Sequence, residues 1–252
     1  MASRRAKPRV TIDVAQKAFG LLRGRHADAH CELVHASPFE LIVATVLSAQ
    51  STDVMVNQVT PELFRRWPTP AALAKAKPAD VERVVGRLGF FRQKTKAIMG
   101  LSAKLVADHG GEVPKTLDEL VKLPGVGRKT ANVVLGVAFG TPEGVVVDTH
   151  VQRLSQRLGW TRHTEPVEIE QDLMRTFARE EWDSLSHVLI FHGRRLCTAR
   201  KPACAACPVT EHCPSAFHAE KVGRKPLRDR RARAPATRAA AARKGRRKKA
   251  RA

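Results

Sequence analysis

LPGVGRKTANVV, the segment from Leu123 to Val134, carries the clearest structural signal in this sequence. TLDELVKL before it and RKTANVVLGVAF at its end both fit helices, so the pattern predicts a helix, a tight glycine hairpin and a second helix. Gly125 and Gly127 permit positive φ and let a backbone approach a ligand closely. Hairpin amides beside a helix N-terminus form an anion site. A hairpin whose glycines serve only its geometry is the alternative.

The rest of the folded part also reads as helices joined by short polar or proline-containing links. Ser37 and Pro38 fit an N-cap and the first position of a helix over FELIVATVLSAQ. Gly110 fits a helix C-terminus. In total about ten helices are predicted. VVVD, residues 145–148, looks strand-like but has no partner strand. We therefore expect an all-α fold.

The chain is strongly basic, and most of its excess charge lies at the C-terminus. Its 252 residues carry a formal net charge of +21. Residues 221–252 hold 15 Lys and Arg against one acid, Asp229, and few large apolar side chains. Such a segment cannot bury enough surface to fold alone, so we predict a disordered basic tail that binds polyanions. A merely solubilising tail is the alternative.

Two residues near the hairpin have side chains suited to chemistry. Lys129 lies at the start of the second predicted helix, where the positive helix end and partial burial would disfavour an ammonium and so produce a nucleophile. Simple contact with phosphate is the alternative. Asp148 precedes a further predicted helix, and fits either an N-cap or a carboxylate that stabilises positive charge.

Four of the five cysteines lie within 17 positions. They are separated by six, two and five residues and are Cys197, Cys204, Cys207 and Cys213. Thiols spaced so closely and interrupted by prolines predict a metal site. Four thiolates suit tetrahedral zinc as well as a four-iron cluster, and the spacing alone favours zinc.

The segment LPGVGRKTANVVLGVAFGTPEGVVVDTHVQRL resembles the helix-hairpin-helix and following loop of the endonuclease III family of DNA glycosylases. The resemblance runs from about Val10 to Ser215. It implies that Lys129 is the catalytic lysine, which attacks C1′ of a damaged nucleotide, and that Asp148 is the catalytic aspartate. The implied enzyme is a bifunctional glycosylase and AP lyase of base-excision repair, which excises oxidised pyrimidines and nicks the abasic strand by β-elimination.

Two alternatives to this function stay open. A non-catalytic helix-hairpin-helix DNA-binding protein would need the hairpin and the charge, but neither Lys129 nor Asp148. A monofunctional glycosylase would release the base with activated water and form no covalent intermediate.

The resemblance also assigns the metal and the DNA contacts. The six, two, five spacing matches the family's loop for a [4Fe–4S] cluster, so the four thiols become its ligands. Within that loop, Arg200 and Lys201 are expected to meet DNA phosphate. Gln50 matches the family's inserting glutamine, and a helix-end cap is the alternative. Phe90 falls where a leucine wedge is usual, and core packing is the alternative. Arg128 joins the hairpin glycines as a further expected DNA contact.

The architecture that the resemblance implies is two helical domains with a DNA-binding cleft between them. Residues 32–141 would form a helical barrel with the hairpin, residues 10–31 and 142–215 a cluster-bearing domain, and residues 221–252 the tail. We expect a monomer that binds double-stranded DNA containing damaged bases or abasic sites. Since the sequence contains no membrane helix or secretion signal, we expect a cytoplasmic protein. The Arg- and Ala-rich composition and the lack of a clear presequence favour a bacterial protein, which would be associated with the nucleoid.

Overall fold

The computed structural model describes residues 10–223, and over this range the chain is helical. Eleven α-helices follow one another in this range: α1 (Ile12–Arg25), α2 (Pro38–Leu47), α3 (Asp53–Arg66), α4 (Pro70–Ala74), α5 (Pro78–Val85), α6 (Phe91–His109), α7 (Leu117–Leu120), α8 (Arg128–Phe139), α9 (Thr149–Arg157), α10 (Pro166–Thr176) and α11 (Trp182–Arg195). The described residues form no strand, and residues 145–148 are a connection without regular structure ahead of α9. The predicted all-α fold is confirmed.

Local sequence signals set the helix boundaries as predicted. Ser37 caps α2, because its Oγ accepts a hydrogen bond from the backbone N of Glu40 at 3.2 Å while Pro38 occupies the first helical position. At the other end of a helix, Gly110 terminates α6 with φ of 61°. These caps satisfy backbone groups that helix ends leave without partners.

Two hydrophobic cores organise the described residues. The first runs from Leu33 to Leu135 and is centred on α2, whose residues from Phe39 to Leu47 are all buried except Glu40. The second combines α1 with side chains between Val145 and Val209. The chain therefore crosses from one core to the other after α1 and again after α8. The domain boundaries at residues 32 and 141 stay a prediction. None of the described helices is long and apolar enough to span a membrane.

The chain beyond the last thiol packs on the second core further than the sequence predicts. Ala219–Lys221 forms a single 3-10 turn, and Ala219 is buried. The carbonyl of Val222 accepts a hydrogen bond from Nε of the buried Arg157 at 3.0 Å. A disordered tail that begins at residue 221 is therefore wrong for residues 221–223, because they supply an acceptor to a buried guanidinium. The rest of the predicted tail lies outside the described residues.

An ion pair between α8 and α10 ties the two cores together. Nε and Nη2 of Arg128 donate to the two carboxylate oxygens of Glu170 at 2.9 and 3.0 Å. Nδ2 of Asn132 donates to the same carboxylate at 3.1 Å. Glu170 is only 5% exposed, and the pairing raises the pKa of Arg128. The guanidinium predicted to contact DNA is thus already engaged by a buried carboxylate.

Replacing Glu170 with Gln should lower the free energy of unfolding by about 1–3 kcal/mol, because a hydrogen bond to a charged group contributes roughly that much. Urea-induced unfolding followed by circular dichroism measures the change. The matched control is Glu62→Gln, whose carboxylate pairs with Arg65 and Arg66 on the exposed side of α3. That surface variant should unfold like the wild type. If both substitutions lowered the free energy of unfolding equally, the ion pair between Arg128 and Glu170 would not stabilise the contact between the cores.

Candidate active site and metal centre

A cavity of about 230 Å³ opens between the two cores. Lys129, in the first turn of α8, and Asp148, immediately before α9, both line it. Its other walls include Leu33, which belongs to the first core, and Ile190, which packs against the second. The structure therefore brings together the two residues that the sequence singles out for chemistry.

Lys129 is exposed at the edge of this cavity. Its expected partial burial is wrong, because the glycine hairpin beside it has few side chains to cover it: a Cβ added at Gly127 would meet no atom within 4 Å. Asp53 also lines the cavity, and burial raises the pKa of its carboxyl. The positive charge of Lys129 opposes that rise in pKa and the negative charge of Asp148 adds to it. The charges of Lys129 and Asp148 therefore both act on Asp53 across the cavity.

The two hairpin glycines have different roles. Gly125 has φ of 77°, and a Cβ there would lie 3.0 Å from Cβ of Ala97 and 3.2 Å from Cγ1 of Val46. Gly127 is extended, with φ of −97° and ψ of 174°, so the expected positive φ holds for Gly125 alone. Because Gly127 is the N-cap of α8 and has no side chain, no side-chain oxygen caps the first amides of that helix. These amides are therefore open to an anion.

Asp148 is the N-cap of α9. Its Oδ1 accepts hydrogen bonds from the backbone N of His150 and of Val151, both at 2.8 Å. Asp148 is therefore an N-cap, which is one of the two roles that the sequence allows. This role does not exclude a chemical one, because only Oδ1 accepts the capping hydrogen bonds and Oδ2 takes no part in them.

Asparagine caps helices about as well as aspartate, whereas alanine does not. Asp148→Asn should therefore keep the wild-type free energy of unfolding, while Asp148→Ala should lower it by about 1 kcal/mol. Thermal and urea unfolding of both variants check this, and both should lose base release if the negative charge is what the chemistry needs. An Asn variant with full base release would remove the chemical role and leave only the cap.

The two residues predicted to enter DNA share an unusual backbone. Gln50, in the turn between α2 and α3, has φ of 55°, and Phe90, which precedes α6, has φ of 58°. Left-handed conformations cost residues other than glycine about 1–2 kcal/mol. Phe90 is 61% exposed and Gln50 is exposed as well. The core-packing alternative for Phe90 is therefore wrong, and both side chains are presented to solvent.

The four clustered thiols line one small apolar cavity of about 20 Å³. The four thiols therefore face one common space, as the ligands of a single metal centre must. Between the first two thiols, Arg200 and Lys201 are exposed, as a phosphate contact requires.

Arg157 provides a second indication of what the thiols hold. It is 1% exposed, and its Nη1 lies 3.3 Å from Sγ of Cys197. Its guanidinium also donates to the carbonyls of Thr198 and Ala199, and no carboxylate in the described part of the chain forms an ion pair with it. A buried cation is costly without a compensating anion. Thiolates that hold an iron–sulfur cluster would supply that negative charge, so the residues present fit the group.

Arg157→Gln should therefore lower the iron and sulfide content of the purified protein and weaken its visible absorption, because the negative charge of the cluster loses its buried counter-ion. The matched control is Arg162→Gln, which removes the same charge from an exposed position in the loop after α9. The control should bind iron like the wild type. Full iron content in the Arg157 variant would show that the cluster does not need the guanidinium, whose role would then be to donate hydrogen bonds to the backbone carbonyls of the loop.

Several residues of the larger cavity carry no motif in the sequence. Arg194 donates to Oδ2 of Asp53 at 2.9 Å and pairs with Glu32. These contacts join α11 to the first residue of α3 and to the segment before α2. Asp183 and His187 line the same wall, with Oδ1 and Nε2 3.5 Å apart. These α11 residues lie four and seven positions apart, which is the spacing of one helix face. Polar residues repeated on one face of α11 are the sequence signal from which these residues could have been predicted.

Comparisons with known proteins agree with this geometry. Residues 43–179 match the family model described as HhH-GPD superfamily base excision DNA repair protein. Residues 197–213 match the iron-sulfur binding domain of endonuclease III. The two matches contain Lys129, Asp148 and the four thiols. Fold and site together define a helix-hairpin-helix DNA glycosylase of base-excision repair that carries a [4Fe–4S] cluster.

The relatives make the assignment more specific. Endonuclease III of Synechocystis sp. is 50% identical over 196 residues, which cover 78% of this chain and 90% of the relative. Endonuclease III of Bacillus subtilis is 48% identical over 196 residues, covering 77% and 89%. A solved structure of a trapped endonuclease III–DNA covalent intermediate superposes with a TM-score of 0.78 at 44% identity, covering 84% of this chain and 98% of that one. The chain belongs to the endonuclease III family, whose members are DNA glycosylases and AP lyases.

Proposed function

We propose that this protein excises oxidised pyrimidines from double-stranded DNA and then nicks the abasic strand, with Lys129 as the nucleophile. The observation that carries the proposal is the shared cavity of Lys129 and Asp148 between the two cores. A DNA-binding module would have no use for an amine and a carboxylate in one cavity. The trapped covalent intermediate described for a structure 44% identical to this chain supports the same chemistry.

In the proposed reaction, the lone pair on Nζ of Lys129 attacks C1′ of the damaged nucleotide. The bond from C1′ to the base breaks, and the base leaves with the electron pair and a proton. Asp148 stabilises the positive charge that develops on the sugar. The opened sugar stays attached to Lys129 as a Schiff base. Loss of a proton from C2′ then expels the 3′ phosphate by β-elimination, and water releases the enzyme.

The proposed DNA contacts surround this cavity. The damaged nucleotide must leave the duplex, which costs a few kcal/mol of stacking and pairing. Gln50 and Phe90 would occupy the gap, since both are exposed and held in turns. The open amides after Gly127 would bind a backbone phosphate, while Gly125 shapes the turn. Further contacts with phosphate would come from Arg200 and Lys201, both exposed.

Arg128 has a different proposed part in DNA binding. Its guanidinium is paired with Glu170, so it serves chiefly by holding α8 in place. Any phosphate contact that it makes would be shared with this carboxylate.

We also propose the cluster ligands and the state of the protein. The ligands are Cys197, Cys204, Cys207 and Cys213, which line one cavity. When bound, the cluster would fix the C-terminal loop and so present Arg200 and Lys201 to DNA. We infer a monomer with the two domains and basic tail set out above, which works in the bacterial cytoplasm on nucleoid DNA, because the similar relatives are bacterial.

Borohydride trapping tests the proposal directly. The reductant should fix the Schiff base between wild-type protein and a duplex that contains thymine glycol or an abasic site, giving a covalent adduct. Lys129→Gln should give no adduct, because the amide has no nucleophilic lone pair. The control, Lys122→Gln, removes the same charge from an exposed site on the same hairpin and should trap normally.

The same assay separates the alternatives. Base release without an adduct in the wild type would establish a monofunctional glycosylase. Binding without base release or adduct would establish a non-catalytic module. An adduct that persists in Lys129→Gln would mean that another amine is the nucleophile.

A further inference from the structure

Lys94 is a buried lysine that the proposed chemistry does not use. It lies in the first turns of α6, is 5% exposed, and burial lowers its pKa. No carboxylate in the described part of the chain forms an ion pair with it. Its Nζ instead donates to the hydroxyl Oγ of Ser51 at 2.6 Å. Burying an ammonium with a hydroxyl as its partner is costly, so the position of this side chain calls for an explanation.

The bond connects the two turns that carry the exposed residues Gln50 and Phe90. Ser51 directly follows Gln50 in the turn between α2 and α3. Lys94 follows Phe90 by one helical turn, and its backbone N donates to the carbonyl of Phe90 at 3.0 Å. A single residue therefore bonds to Phe90 through its backbone and to the neighbour of Gln50 through its side chain. The bond spans 43 positions of the sequence.

Both turns hold a strained backbone, with φ of 55° at Gln50 and 58° at Phe90. Such conformations persist only where the surrounding structure fixes them. Two side chains that fill one gap in a duplex must also keep a fixed separation. Fixing that separation before binding avoids the loss of conformational entropy at the moment of insertion.

We propose that Lys94 is a positioning residue for base extrusion: its hydrogen bond to Ser51 holds the Gln50 and Phe90 turns in register, so that both side chains enter the duplex together. The proposal rests on the insertion roles assigned above to these two residues. It concerns the step that removes a nucleotide from the stack, and not the later chemistry at Lys129.

The test uses cluster-loaded protein and two substrates. On a duplex with thymine glycol, Lys94→Met should slow single-turnover base release about tenfold or more, the effect expected for losing a hydrogen bond from a charged donor. On a single-stranded abasic oligonucleotide, which has no base to extrude and no gap to fill, the rate of strand nicking should stay within about twofold of wild type. Methionine keeps the apolar stem and removes the ammonium with its charge and its hydrogen bonds. Fluorescence of 2-aminopurine placed opposite the lesion should also rise more slowly with the variant.

Ser51→Ala removes the acceptor and should reproduce the duplex defect, and it carries the test if Lys94→Met fails to fold. The double variant should be no slower than the slower single variant, because the two changes remove one interaction. Lys104→Met is the matched control: it lies on α6 about 15 Å further along, at 1.5 Å per residue. Its partner is Asp108 on the same helix, and its duplex activity should not change.

Three results would overturn the proposal. An unchanged rate of base release from the duplex in both Lys94→Met and Ser51→Ala would show that the hydrogen bond between these residues is not needed. Equal slowing on both substrates would place Lys94 in folding or chemistry. A loss confined to affinity, with a shallower salt dependence, would identify a phosphate contact. If Gln50→Ala and Phe90→Ala left duplex base release intact, the insertion roles themselves would fail, which is a separate outcome.

Discussion

The contact between Arg128 and Glu170 is the constraint on which the cavity depends. One partner is the first residue of α8, beside Lys129, and the other is buried in α10, within the second core. The cavity lies between these cores, so its shape follows from how firmly α8 is held against α10. A buried carboxylate also needs hydrogen bonds, and Asn132 supplies one from the same helix. Pairing and packing thus fix the first turn of α8, which carries Lys129, relative to the second core.

Helix α9 connects the cavity of Lys129 and Asp148 to the thiol cavity. Asp148 caps its N-terminus, while Arg157 at its C-terminus is bound around the carbonyls that follow Cys197. Between them, Arg153 donates to the carbonyls of Gly193 and Cys197 at 3.0 and 3.1 Å. Two buried guanidinium groups one helical turn apart are therefore held by the C-terminal loop. Folding that loop around its cluster fixes the helix whose first turn orients the carboxylate of Asp148.

The turns of Gln50 and Phe90, which we propose enter DNA, are held in a different way, because their side chains are exposed and their backbone is strained. Gln50 and Phe90 gain no packing energy from the core. Their left-handed conformations are maintained by helices that begin or end next to them and, on our proposal, by Lys94. The cavity of Lys129 and Asp148 lies between helices that ion pairs hold together, whereas Gln50 and Phe90 are held by their turns. Strain of this kind is typical of positions that act on a ligand.

The sequence by itself determined the all-α class, the hairpin, the helix caps at Ser37 and Gly110, and the chemistry available to Lys129 and the thiols, because these depend on residues close together in the chain. It misjudged the burial of Lys129 and the start of the tail at residue 221, since burial depends on which distant segments cover a residue. The tertiary structure alone decided that Lys129 and Asp148 share a cavity, that Arg128 binds Glu170 and that Lys94 reaches Ser51. Those contacts join positions 19 to 43 apart, and no local pattern encodes them, because the packing of separate helices sets their distance.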